Sequence, residues 1–200
     1  MSETLSMEAV VVGGSAGALQ VLRLLLPAFS AQSPPVVIVV HLPNSPPSLL
    51  PQAMKRYCTV PIKNAEDKEL LAPGTVYFAS AGYHLLIETD RSFGLSVDPP
   101  VHYSRPSVDV LFESAAYVYG PALAGILLTG ASEDGAYGSQ CIVEAGGTLI
   151  VQTPETALCS TMPASALARC TPQYLLEPEE MPAVLQHIKM ATHGAAKPHG

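Results

Sequence analysis

Apolar positions along the chain fall into short blocks with two different spacings. Pro35-Val36-Val37-Ile38-Val39-Val40 is β-branched and apolar on both faces, as expected for a strand buried between two layers. Glu8 to Val12, Leu123 to Thr129 and Thr148 to Gln152 read the same way. Between them the spacing becomes helical over Leu19 to Leu26, closed by Pro27, and over Pro47 to Arg56. It is helical again over Ser107 to Tyr119, with Ser107 or Ser104 available as the N-cap, and over Ala136 to Glu144, closed by Gly146-Gly147. Pro163 to Arg169 and Glu179 to Met190 complete the predicted helices.

The middle of the chain differs. After the turn signal Ala72-Pro73-Gly74-Thr75 come three short strand patterns, Val76 to Ala79, Tyr83 to Glu88 and Gly94 to Val97. Their spacing predicts antiparallel hairpins added to the main sheet. The expected fold is α/β: a doubly wound, mostly parallel sheet with helices on both faces and an added antiparallel hairpin region. With no internal repeat or linker, one domain is expected over residues 8–190, flanked by loose segments at 1–7 and 191–200.

Composition narrows the class. The 200 residues are 48% hydrophobic and 14% charged, which suits a packed core and not a disordered chain. The net charge is −7 and the ten Lys and Arg are scattered, so no basic face is laid out for a nucleic acid. No apolar run approaches the roughly 20 residues of a membrane span, so no direct membrane insertion is expected. Met1 to Met7 carries Glu3 and no basic flank, unlike a signal peptide. Cys58, Cys141, Cys159 and Cys170 form no CxxC and read as reduced thiols, so a cytoplasmic protein is expected.

Ligands of an open parallel sheet bind beyond the carboxyl ends of its strands. Three groups able to cooperate lie at such ends: Ser15, His41 and Asp134. A serine nucleophile needs a base for its proton, and the base needs a third group to fix its tautomer. Glycines around Ser15 in Gly13-Gly14-Ser15-Ala16-Gly17-Ala18 permit a sharp strand-to-helix turn that exposes the hydroxyl. Taken singly, each residue also has a plainer role: Ser15 as a helix cap, His41 as an interior hydrogen-bonded residue, Asp134 as the cap of the helix that follows. The coincidence at three strand ends is what points to chemistry.

A dinucleotide fingerprint beginning at Gly13 would need glycine at positions 15 and 18, where Ser15 and Ala18 stand. The second strand would end in an acid and ends in His41 instead, so that reading fails. The order Ser, His, Asp also differs from that of the α/β-hydrolases. His84 and His102 fall near turns and are available to line the site, but they read first as structural or surface residues. Ser107 and Asp109 read as capping or supporting their own helix, Glu133 as a solvated carboxylate, and Cys141 and Cys170 as packing residues.

Several segments together resemble the chemotaxis-receptor methylesterase family. Val11-Val12-Gly13-Gly14-Ser15-Ala16-Gly17, Val40-His41-Leu42-Pro43 and Leu127-Leu128-Thr129-Gly130 through Asp134-Gly135-Ala136 are similar to its three catalytic segments. Pro73 to Ala79 and Tyr83-His84-Leu85 resemble its central region, and Arg105-Pro106-Ser107-Val108-Asp109-Val110-Leu111-Phe112 its most recognisable helix start. Ala145-Gly146-Gly147-Thr148 and Met162-Pro163-Ala164-Ser165-Ala166 fit its C-terminal part, in the family's order.

The resemblance implies a serine hydrolase that demethylates glutamyl methyl esters on methyl-accepting chemotaxis receptors, with deamidation of selected glutamines as an accompanying activity. It implies Ser15 as nucleophile, His41 as base and acid, Asp134 as the group that orients His41, and no metal or organic cofactor. The backbone N–H groups of Ala16 and Ala131 are the candidates for the oxyanion hole. The chain departs from the family where Ser-Thr-Gly-Gly becomes Ser15-Ala16-Gly17-Ala18, and where Thr-Gly-Met-Gly becomes Thr129-Gly130-Ala131-Ser132. Asn44-Ser45-Pro46-Pro47 also lacks the usual Phe-Thr pattern on the expected substrate side. Ser15 lies too near the first residue for the family's receiver domain to precede it, so constitutive activity or control by a separate receiver protein is expected. Two other readings stay open: a non-catalytic chemosensory module, and a serine esterase acting on a different ester.

Overall fold

A computed structural model describes residues 5–41 and 49–190. In chain order the strands are β1 (Leu5–Met7), β2 (Ala9–Gly14), β3 (Val36–Val40), β4 (Ile62–Asn64), β5 (Val76–Phe78), β6 (His84–Ile87), β7 (Phe93–Ser96), β8 (Leu123–Leu127), β9 (Thr148–Gln152), β10 (Tyr174–Leu176) and β11 (Ile188–Met190). The helices are α1 (Ala18–Leu25), α2 (Leu50–Met54), α3 (Val108–Tyr119), α4 (Ala136–Glu144), α5 (Thr161–Leu167) and α6 (Met181–Leu185).

Seven strands form one sheet in the order β10-β9-β8-β2-β3-β5-β4, and every pairing in it is parallel. From β2 the chain first winds outward through β3 and later returns to its other side at β8. The order therefore reverses at β2, and the crevice of a doubly wound sheet opens beyond the carboxyl ends of β2, β3 and β8.

The alternation of side chains along each strand divides the core into two layers. Val10, Val12, Ile38, Ile126 and Ile150 pack with Leu22 and Leu25 of α1. Val11, Val37, Val39 and Leu149 point to the opposite face, against Leu111, Phe112 and Ala115 of α3 and Ile142 of α4. This is why β2, β3 and β8 carry no polar side chain: both of their faces are covered.

Four expectations are corrected. Val76 to Ala79 is not a hairpin strand, because β5 pairs in parallel with both β3 and β4 inside the main sheet. The hairpin consists of β6 and β7 alone, and it stands as its own two-stranded antiparallel sheet. Glu179 to Met190 is not one helix: α6 ends at Leu185, and β11 follows it. Leu5–Met7, expected to be loose, is a strand: β1 pairs in parallel with β11. Of the helix expected over Pro47 to Arg56, the described part is α2 followed by a 3₁₀ turn over Lys55–Tyr57. Ala191 to Gly200, expected to be loose, lies outside the described residues, and no described helix is long and apolar enough to cross a membrane.

Candidate active site

The hydrogen-bond ladders of the central strands run on past their ends and bring three loops together. The His41 N–H donates to the Gly14 carbonyl (3.1 Å), extending the β2–β3 pairing to the residue beside Ser15. The Ser15 N–H donates to the Thr129 carbonyl (2.9 Å), doing the same for β2 and β8. Ser15 thus sits between the loops that carry His41 and Asp134, with its side chain half-buried.

Gly17, one turn on, has φ 88, a left-handed conformation that glycine adopts without a steric penalty. A Cβ there would also lie 2.8 Å from Leu158 Cβ, so the glycine serves both the turn and the close packing of the neighbouring segment. Thr129 ties the turn down. Its hydroxyl donates to the Ala16 carbonyl (2.9 Å) and accepts from the Cys159 N–H (2.9 Å). Gly130 lets the two loops meet, because a Cβ at that position would lie 3.0 Å from Ser15 Cβ. The N–H groups of Ala16 and Ala131 donate to no other described residue, and both residues are exposed. A cleft of about 310 Å³ beside this turn is lined by Gly17, Gln20, Leu24, Thr129 and Leu158.

His41 and Asp134 are in direct contact. His41 Nε2 lies 2.7 Å from Asp134 Oδ2; the imidazole is 13% exposed and the carboxylate wholly buried. A burial so complete would be costly for an unpaired carboxylate. Here three more donors meet it: the Ser107 hydroxyl (2.7 Å), the Val108 N–H (2.7 Å) and the Asp109 N–H (3.0 Å). Burial pushes the Asp134 carboxyl up, but hydrogen bonds from His41, the Asp109 and Val108 N–H groups and Ser107 outweigh it and hold the carboxyl below its ordinary value. Two of these donors are free N–H groups of the first turn of α3, where the helix dipole also favours an anion.

Ser107 is the N-cap of α3, accepting from the Val110 N–H at 3.3 Å, so Ser104 is not the cap. Asp109 was expected to serve its own helix; it serves α4. Its Oδ1 accepts from the N–H groups of Gly135 (2.9 Å) and Gly138 (2.7 Å). Burial raises the Asp109 carboxyl, the Gly138 N–H opposes this, and the Asp134 charge adds to the rise. His102 Nε2 stands 3.5 Å from the other Asp109 oxygen. His84 is buried, with Nε2 3.1 Å from the Pro99 carbonyl, and Glu133 is exposed to solvent.

One neighbour of His41 was not singled out for chemistry in the sequence. Ser104 Oγ lies 3.3 Å from Nδ1, so the imidazole stands between Asp134 on its Nε2 side and Ser104 on its Nδ1 side. Asn44 to Pro47, expected on the substrate side, lies outside them. No group of three or more His, Cys, Asp or Glu among the described residues is placed to hold a metal ion.

The family model for CheB methylesterase matches residues 10–185. The chain belongs to the CheB methylesterase family. The family match includes Ser15, His41 and Asp134, and relatives agree with it along most of the chain. A protein of Leptospira interrogans, named as a candidate protein-glutamate methylesterase/protein-glutamine glutaminase, is 42% identical over 175 residues, covering 87% of this chain and 91% of its own. A protein-glutamate methylesterase/protein-glutamine glutaminase 1 of Anaeromyxobacter dehalogenans is 40% identical over 166 residues, covering 81% of this chain but 47% of its own. The chain therefore spans about half the length of that second relative. Among solved structures, the CheB methylesterase catalytic domain of Thermotoga maritima superposes with a TM-score of 0.85 at 29% identity, covering 90% of this chain and 98% of that domain.

Proposed function

We propose that this methylesterase-family chain is a serine hydrolase that cleaves glutamyl methyl esters on methyl-accepting chemotaxis receptors, with Ser15, His41 and Asp134 as its reacting set. The observation that carries the reading is the 2.7 Å contact between His41 and the buried Asp134, formed in the same crevice into which the β2 turn delivers Ser15.

In this reading the Ser15 hydroxyl adds to the ester carbonyl while His41 takes its proton. The oxygen of the tetrahedral intermediate gathers negative charge, and the N–H groups of Ala16 and Ala131 receive it. His41 returns the proton to the departing methoxide, and methanol leaves an acyl-enzyme on Ser15. Water then adds with His41 again as base, His41 returns that proton to Ser15 Oγ as its bond to the acyl carbon breaks, and a free glutamate is released with Ser15 restored. Asp134 keeps Nε2 protonated throughout and stabilises the imidazolium. A glutamine side chain follows the same path with ammonia as the leaving group, which matches the second activity in the names of the relatives.

The test is methanol release from methylated receptor by the native chain and by Ser15→Ala. Release that depends on Ser15 supports the reading. Equal release from both, or none from a receptor that another family member demethylates, overturns it.

A further inference from the structure

Asp134 accepts every hydrogen bond it makes, so the imidazole nitrogen facing it, Nε2, carries the proton. A neutral imidazole protonated at Nε2 has one lone pair left, on Nδ1. In the proposed reaction that lone pair must receive the Ser15 proton. In the structure it faces the Ser104 hydroxyl at 3.3 Å, and Ser104 is then the donor.

Ser104 is held in place by its own surroundings. Its N–H donates to the Val101 carbonyl (2.8 Å), and the Val101 N–H donates back to the Ser104 carbonyl (3.1 Å). The two residues enclosed, His102 and Tyr103, have φ 46 and 62, left-handed values that side chains disfavour and that recur at functional turns. The turn is moored through His102 to Asp109, and the same stretch continues to Ser107, which donates to Asp134. Four residues of chain therefore hold both members of the pair: Ser104 on the imidazole, Ser107 on the carboxylate.

We infer that Ser104 is a positioning residue that occupies the Nδ1 lone pair of His41 in the resting enzyme, so that Ser15 is activated only when it replaces Ser104 there. The inference rests on the reading of Ser15, His41 and Asp134 as the reacting set. One lone pair accepts one proton in line, so the two serines exclude each other. Ser104 keeps the ring oriented and the base occupied; substrate seated in the crevice brings about the exchange.

The experiment measures the rate at which a small fluorophosphonate labels Ser15, using the native chain, Ser104→Ala, Ser104→Thr and Ser15→Ala. Loss of the competing hydroxyl in Ser104→Ala is expected to raise the labelling rate about fivefold, the worth of one ordinary hydrogen bond. Ser104→Thr, which restores a hydroxyl, is expected to return the rate to near native. A Ser104→Ala rate equal to or below native overturns the inference. If Ser15→Ala is labelled as fast as the native chain, the reading of the reacting set fails instead, so the two failures are distinguishable. The ¹⁵N resonance of His41 gives a second readout that needs no variant: the native Nδ1 should have the shift of a hydrogen-bonded acceptor, and an unbonded shift overturns the inference.

Discussion

Asp109 and Asp134 cap each other's helices. Asp134, in the loop leading into α4, accepts from the N-terminal groups of α3, while Asp109, in the first turn of α3, accepts from Gly135 and Gly138 of α4. The two carboxylates are both buried, and each helix start is closed by an acid from the other. Because Asp134 also holds His41, the packing of α3 against α4 fixes the imidazole, and changes far from Ser15 should be felt there.

Asp134→Asn separates geometry from charge. The amide keeps an acceptor for α3 but offers its NH₂ or its oxygen to His41 without charge, which favours the wrong tautomer. Ester hydrolysis is expected to fall on the order of 10⁴-fold, as the same change does in the Ser-His-Asp triad of serine proteases. Rates measured beside a denaturant midpoint would distinguish this from unfolding, and a loss below tenfold with the fold intact would contradict the role.

Asp109→Ala leaves the Gly135 and Gly138 N–H groups buried without a partner. Each such group costs about 1–3 kcal/mol, so urea unfolding should show a loss of several kcal/mol. Asp109→Asn keeps the accepting oxygen and removes a buried charge, and should lose far less. Equal losses in the two variants would refute the cross-capping account.

Stability in acid follows from the opposite shifts of the two carboxyls. Asp134 titrates below its ordinary value in the fold, so its contribution is complete above the unfolded value, about pH 4, and is lost as pH falls through the lower folded value. Asp109 titrates above its ordinary value, so its contribution favours the fold in acid and is lost as pH rises through that raised value. Urea midpoints across about pH 2 to 6 should therefore fall less steeply in acid for Asp134→Asn than for the native chain, and an unchanged profile would count against the sign given to Asp134.

Thr129→Val preserves shape and removes the hydroxyl that joins Ala16 to Cys159. About 1–3 kcal/mol of stability should be lost for the buried groups left unpaired. If the turn around Ser15 is held by this bond, kcat should fall more than KM rises. A change in KM alone would place Thr129 with substrate binding instead.

The central strands were legible because both of their faces are buried and their apolar runs are unbroken; β2, β3 and β8 fall where the pattern puts them. From this followed the strand ends, and so Ser15, His41 and Asp134. The three residues of β5 were too few to tell a parallel partner from a hairpin. The edge strands β4 and β10 are only partly buried and lacked a continuous apolar run. The local pattern predicts helix over β11 because its partner, β1, lies at the other end of the chain and leaves no local signal. Within the site, Asp109 had the local signature of an acid in the first turn of its own helix, which says nothing of a second helix start beside it. Ser104 carried no signal beyond that of a possible cap, since its relation to His41 exists only once the 101–104 turn has folded over the crevice.

The pairing of Leu5–Met7 with Ile188–Met190 fastens the two ends of the described chain. Closing so long a loop draws on chain entropy that three paired residues on each side repay only once the rest of the sheet is in place. Such a fastening forms late and opens early, whereas β2, β3 and β8 stay covered on both faces. Amide hydrogens of β1 and β11 should thus exchange well before those of the central strands. Fraying there can come and go while the crevice remains assembled, so the molecule can loosen at its seam without losing its chemistry.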